Sequence, residues 1–343
     1  MAAVSITLLP EYGGFMKKYV LLLFFSLAFF PFCASAQEKV VLVIESYHDE
    51  YPWDISYKEG LNEVMGSACR FVYFQMDTKR LPESEHEKMA EKAWKKYKEI
   101  KPDMVILGDD NALRYLAPKF GESDTPVVYL GINSNPKKYD ASEKKNITGV
   151  LERPLLNQSI YSVHKILDPK PEKILLFDSG ETSQSAVAES FKGRTTLPVS
   201  NMTVQLKLIA KFEEWKQTVL NAKTEGFGAI FVGLYHTVTD KEGAHVSDRT
   251  LLKWTVENTP VPPFGFWDFS VGADKTIGGF VLFGKAQGEA AGKIALKIFS
   301  GKSPQEIRPV IADMGKFLFS KSQLKKWGLT LPDDIASKAD YVE

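Results

Sequence analysis

Cysteine is nearly absent: Cys33 and Cys69 are the two in 343 residues. A disulfide-stapled scaffold is therefore excluded. Charge of one sign is also missing, since Lys plus Arg and Asp plus Glu are 43 each. Nucleic acid, which selects a basic surplus or stripe, is not an expected partner. No apolar run reaches the roughly 20 residues that span a bilayer. Enzyme signatures are missing too. His48, His86, His164, His236 and His245 form no H-E-x-x-H or other close ligand pair, and there is no G-x-S-x-G nucleophile elbow. Gly288 to Lys293 echoes a phosphate loop but is one residue short between its glycines. Ile294 also stands where Ser or Thr is required. The expectation is a chain without catalytic residues, metal or cofactor.

What is present reads as a packed globular protein, with 44% hydrophobic and 25% charged residues. The first 36 residues differ from the rest. Lys17 and Lys18 precede an apolar run from Tyr19 to Phe30, Pro31 breaks it, and Ala34-Ser35-Ala36 follows. A charged start, a short apolar core and a small-x-small exit predict a cleaved secretory signal, with Met16 the better start and Gln37 the first mature residue. Phe32 before Cys33 argues against a lipoprotein. The expected location is the periplasm, or the cell surface where there is one membrane. Cys69, then the lone thiol, is expected to be an inert core residue.

From Val40 onward, short apolar runs alternate with amphipathic stretches. Val40–Ile44, Phe71–Met76, Met104–Leu107 and Val127–Leu130 read as strands, with helices over 54–65, 84–100 and 112–120 between them. This βαβ order predicts a parallel, doubly wound sheet. A polar gap, 133–146, reads as a boundary. A second α/β unit follows, with helices over 155–167, 183–191, 212–220 and 247–257. Its strands are Ile174–Phe177, Ala229–Val232 and Val261–Phe266, with Val204–Leu208 as an edge strand. Beyond Trp267, the run Phe280–Phe283 and a helix over 288–299 are too little for a third domain. They must complete one of the first two.

Several stretches occur in a telling order: Pro102-Asp-Met-Val-Ile-Leu-Gly108, Thr125-Pro-Val-Val-Tyr-Leu-Gly131, Asn146-Ile-Thr-Gly149, the 290–301 segment and Trp327-Gly-Leu-Thr-Leu-Pro332. In these the chain resembles type-I periplasmic binding proteins. Within them it is similar to the ABC-transporter substrate-binding family that includes tryptophan- and tyrosine-uptake components. The loop Glu45-Ser-Tyr-His-Asp-Glu-Tyr-Pro-Trp53 looks more like extracytoplasmic sensor domains of the same superfamily. The resemblance implies an α/β fold of two doubly wound parallel-sheet lobes joined by a hinge. Lobe one would be 38–148 plus 267–303, and lobe two 149–266 plus 304–343. It implies a monomer that closes on a small-molecule ligand, an amino acid or similar small amine first. The protein partner would be an ABC permease or, alternatively, a membrane histidine kinase or chemoreceptor.

Ligands of open parallel sheets bind beyond the carboxyl ends of the strands. The candidates in the first unit are therefore Ser46, Tyr47, His48 and Trp53, then Asp77, then Asp109, Asp110 and Asn111, then Asn133. In the second unit they are Asp178, Ser179 and Gly180, then Tyr235 and His236, then Trp267 and Asp268. Aromatic faces beside carboxylates, amides and hydroxyls suit a small polar ligand held by stacking and hydrogen bonds. Helix capping is the competing role for Asp110, Asp178 and Ser183, and core packing for Trp53 and Trp267.

Overall fold

The computed structural model describes residues 38–170, 172–199, 202–312 and 315–343. The expected leader, 1–36, lies outside the described residues.

Strand β1 (Lys39–Glu45) runs parallel to both its neighbours, β2 (Cys69–Gln75) and β3 (Met104–Gly108). β4 (Val127–Ile132), β5 (Ile147–Leu151) and the two-residue β12 (Val310–Ile311) extend this sheet in the order β12-β5-β4-β3-β1-β2. β1 is apolar throughout because both its faces are covered. Val41 and Val43 point into one core, and Leu42 and Ile44 into the other. Helices α2 (Glu83–Ile100) and α3 (Asp109–Phe120) cover the second core. The first is covered by α1 (Pro52–Met65) packed on α8 (Gly284–Phe299).

The α1–α8 contact is close because glycines form it. A Cβ at Gly288 would lie 2.0 Å from the Tyr57 carbonyl oxygen, and one at Gly60 would lie 2.1 Å from that of Lys285. The pair presses Trp53, Asp54 and Tyr57 against the sheet. α8 starts at Gly284, four residues before the apolar stripe announces it, and Gly301 (φ +100°) ends its last turn as expected. Cys69 is buried, its thiol turned to the Met65 carbonyl.

The second sheet has the order β10-β9-β6-β8-β7. It is built from β6 (Glu172–Asp178), β7 (Thr196–Val199), β8 (Met202–Ile209), β9 (Phe227–Val232) and β10 (Pro263–Gly265). α4 (Leu156–Ile166), α5 (Glu181–Phe191), α6 (Phe212–Asn221) and α7 (Asp248–Asn258) connect and flank these strands. Segment 204–208, expected at the edge, lies inside the sheet. β7, which the sequence did not announce, forms an antiparallel hairpin on its outer side. The apolar-polar alternation of β8 reflects one solvated face, not a free edge.

Two further differences concern the crossovers. The polar stretch 133–146 is a connection within the first sheet: it forms two short 3₁₀ turns and returns into β5, which pairs with β4. A division at 148/149 would cut through β5, and β12, expected with the second lobe, pairs with β5 in the first. A third sheet, β11-β13-β14, was not expected. It joins β11 (Gly278–Val281) to β13 (Lys316–Ser320) and β14 (Ala339–Val342), with α9 (Lys321–Trp327) and α10 (Asp333–Ala336) between the last two. No helix among the described residues is long and apolar enough to cross a membrane.

Candidate functional site

The carboxyl ends of both parallel sheets open on one cavity of about 690 Å³. From the first sheet come the loops after β1, β2, β3, β4 and β5. From the second come those after β6, β9 and β10. The two sides touch across the cavity. The Tyr51 hydroxyl is hydrogen-bonded to His236 Nε2 at 3.0 Å, Arg114 donates to Glu181 at 3.0 Å, and the Ser134 and Ser185 hydroxyls are 3.1 Å apart.

One wall is aromatic. Tyr47 and Tyr51 meet edge to face at 5.0 Å, and Trp53 and Phe269 do so at 6.4 Å. Trp267 stacks on Phe269 at 6.2 Å. The Trp267 indole N–H donates to Glu152 at 2.7 Å. Burial pushes that Glu152 carboxyl up to about 8, so it is largely a neutral acid at pH 7. Trp53 and Trp267 thus pack in the core and line the cavity at once. The Trp53 indole N–H is buried without a hydrogen-bond partner.

The charged groups differ sharply in how they are held. Asp109 opens α3 with φ +67°, a left-handed conformation unusual for a residue other than glycine. It is 3% exposed, and its Oδ2 has no hydrogen-bond partner. Burial, with the charges of Asp54, Glu152 and Asp110 adding to it, holds its carboxyl well above the ordinary range. Asp54 below the cavity floor is fully buried, and burial with Glu45 raises it likewise. Asp178, by contrast, is saturated: it accepts from Ser183, from the Gly180 N–H at 3.2 Å and from the Thr237 N–H at 3.1 Å. Burial, then the nearby charge of Lys79, pushes His236 well below its usual value and holds it neutral.

The sixteen expected residues divide. Tyr47, Trp53, Asp109, Asn111, Asn133, Asp178, His236 and Trp267 line the cavity. The other eight do not, for local reasons. Ser46 is spent inside the sheet end, its hydroxyl donating to the Gly108 carbonyl and accepting from the Ala112 N–H. His48 faces Asp77 at 3.6 Å and Asp77 receives Arg80 at 2.7 Å, and neither His48 nor Asp77 lines the cavity. Asp110 is turned to the β4 end, where it accepts from the Asn133 and Ser134 N–H groups and the Tyr139 hydroxyl. It braces that loop and does not cap its own helix. Ser179 and Gly180 shape the start of α5, with Gly180 its N-cap. Tyr235 lines a second cavity of about 430 Å³ with Asp248 and Arg249. Asp268 accepts the Phe269 N–H, and burial raises it to about 6.

Among the lining residues that escaped the sequence reading are Tyr51, Thr78, Lys79, Glu152 and Phe269. Each lies within a few residues of a strand end or of an expected residue. Glu152 directly follows β5, the strand that was placed at a boundary. Among the described residues no three His, Cys, Asp or Glu side chains converge as a metal site requires.

Comparison with known proteins agrees with this geometry. Residues 82–343 match the family model described as ABC transporter substrate binding protein. An ABC domain from Streptococcus pneumonia, solved in complex with L-Trp, superimposes with a TM-score of 0.64 at 18% identity, over 89% of this chain and 100% of that one. A conserved domain protein from Vibrio cholerae gives 0.61 at 14% identity, over 89% and 99%. A substrate-binding protein with adhesive properties from Clostridium difficile, in its ligand-free open form, gives 0.61 at 15% identity over the same shares. No curated protein matches in sequence. These likenesses show the fold: two α/β lobes of the type-I periplasmic binding kind, as the sequence led one to expect.

Proposed function

The chain belongs to the ABC transporter substrate-binding protein family, whose members work outside the cytoplasm, and from that premise we propose that it captures an amino acid or similar small amine in the interlobe cavity and delivers it to an ABC permease. Asp109 is the observation that carries this reading. A buried carboxyl without a partner, facing a cavity walled by aromatic rings, is suited to an ammonium group. The complex of the streptococcal domain with L-Trp supports an aromatic amino acid as the first ligand to try. The sequence at 16–36 supports export through a cleaved signal and action in the periplasm. Closure of the two lobes on the ligand is the expected motion.

A thermal-shift screen of amino acids, sugars, purines and polyamines tests the proposal. Ligand at 100 times its dissociation constant adds about 2.7 kcal/mol of stability, a readily seen shift. Amino acids or amines should give the largest one. A response confined to phosphate or dicarboxylates would overturn the assignment. One observation favours a second reading: Tyr47, Tyr51 and Trp53, from the loop that resembles sensor domains, form much of the wall. In that reading the closed form docks on a membrane kinase or chemoreceptor. Adjacent permease and ATPase genes favour transport, and adjacent kinase genes favour sensing.

A further inference from the structure

Lys79 is the one ammonium among the lining residues, and nothing so far gives it a role. It lies in the 76–82 loop after β2, which is tied down by the Thr78 N–H donating to the Ser46 carbonyl and the Leu81 N–H to that of Asp77. Its Nζ sits 4.1 Å from the centre of the Tyr47 ring and 4.7 Å from that of Tyr51. This is a cation–π seat on the aromatic wall. Among the described residues no carboxylate oxygen comes within 4.0 Å of that nitrogen. Burial accordingly disfavours its charged form, and Asp109 is the carboxylate whose charge opposes this most.

The other carboxyl groups at the cavity, with Arg80 and His236, are accounted for, Glu83 by Arg114 at 3.8 Å. Asp178 is saturated by hydrogen bonds, Glu152 is held toward its neutral form, and His236 is neutral. Arg80 is occupied by Asp77 and Glu50. Lys79 and Asp109 therefore stand as an amine and a carboxyl group on one cavity, each lacking a close ionic partner and each disfavoured in its charged form by burial. They are held apart, one by tyrosine rings and the other by a left-handed backbone. A charge removed from water needs a counter-charge. Here a single molecule can supply both.

We propose that Lys79 and Asp109 form a two-point clamp for a zwitterion, Lys79 receiving the ligand's carboxylate and Asp109 its ammonium. The inference rests on the cavity being the ligand site, as proposed above, and it narrows the ligand class. An amino acid satisfies both ends, whereas a simple amine satisfies Asp109 and is repelled by Lys79. Lys79 is thus the residue that sets specificity between an amino acid and its decarboxylated amine.

Calorimetric titration at neutral pH with L-tryptophan, L-tyrosine and L-phenylalanine, each beside tryptamine, tyramine or phenethylamine, tests this on the wild type, Lys79→Met and Lys79→Arg. At least one amino acid should bind about ten-fold or more tighter than its amine. Lys79→Met should weaken the amino acid by about ten-fold or more while leaving the amine unchanged or tighter, as expected for a lost charged hydrogen bond. Lys79→Arg, which keeps the charge, should stay within about five-fold of wild type. Melting curves establish that each variant is folded. If an amino acid binds and Lys79→Met leaves it unchanged, or weakens acid and amine equally, the clamp is wrong and the cavity assignment stands. If none of the six compounds binds the wild type while a sugar or dicarboxylate does, the ligand reading fails and the clamp fails with it.

Discussion

Asp109, after β3, and Asp178, at the end of β6, occupy corresponding places on the two sides of the cleft. Both are buried, both sit at the carboxyl end of a central parallel strand, and both line the same cavity. Their surroundings are opposite. Asp178 meets donors from Gly180, Ser183 and Thr237, so its carboxylate stitches the second lobe's loops together. Asp109 meets no donor at Oδ2 and lies near Asp54 and Glu152, which resist its ionisation. The comparison teaches that strand-end position selects candidates, while local donors decide which one has capacity left for a ligand.

Five changes break or sharpen this comparison. The largest effect is expected from Gly288→Val, which drives a side chain into the Tyr57 carbonyl and separates α1 from α8. The fold should lose about 3 kcal/mol or more, with the first lobe's floor under Asp109 going first. An unchanged melting temperature would contradict the close helix contact. Next come the aspartates themselves. Asp109→Ala should weaken an amine or amino acid by about ten-fold or more with little loss of stability. Asp178→Ala should cost about 1–3 kcal/mol of stability by stranding its donors, with a smaller effect on affinity. Matched titration and melting experiments read both, and interchanged results would invert the comparison.

Glu152→Gln sharpens it through pH. Folding raises this carboxyl from the usual 4.5 to about 8, so its neutral form is the stable one. Its contribution is complete below about pH 4.5 and is lost as pH rises through 8. Wild-type melting temperature should therefore fall across that range. Glu152→Gln, which still accepts the Trp267 N–H, should flatten the fall by about 1–3 kcal/mol. A parallel pH profile for the variant would exclude Glu152 as its source. The smallest effect is expected from Arg114→Ala. It removes a half-exposed ion pair with Glu181 across the lobes, and both stability and affinity should change by less than about 1 kcal/mol.

The fold was legible because apolar runs such as Val41–Ile44 record burial on both faces, and the helices between them carry one apolar side. β7 was hidden because Thr196–Val199 is short and largely unburied, so it carries no strand-like pattern. The polarity of 133–146 misled because a solvated loop within a sheet has the composition of a linker. For the site, the strand-end rule found Asp109, Trp53 and Trp267. It missed Lys79 and Glu152, whose roles depend on neighbours far away in sequence: tyrosines on another loop for one, and Trp267 for the other. The contrast between Asp109 and Asp178 was equally invisible, since their donors come from Thr237 in one case and are absent in the other.

The most direct test of the account is a crystal structure with the compound that gives the largest thermal shift. The account predicts that compound in the interlobe cavity, its apolar part against Trp53 and Trp267 and its nitrogen within about 3 Å of an Asp109 carboxylate oxygen. A compound seated in the second cavity beside Tyr235 and Asp248, with Asp109 untouched, would contradict it.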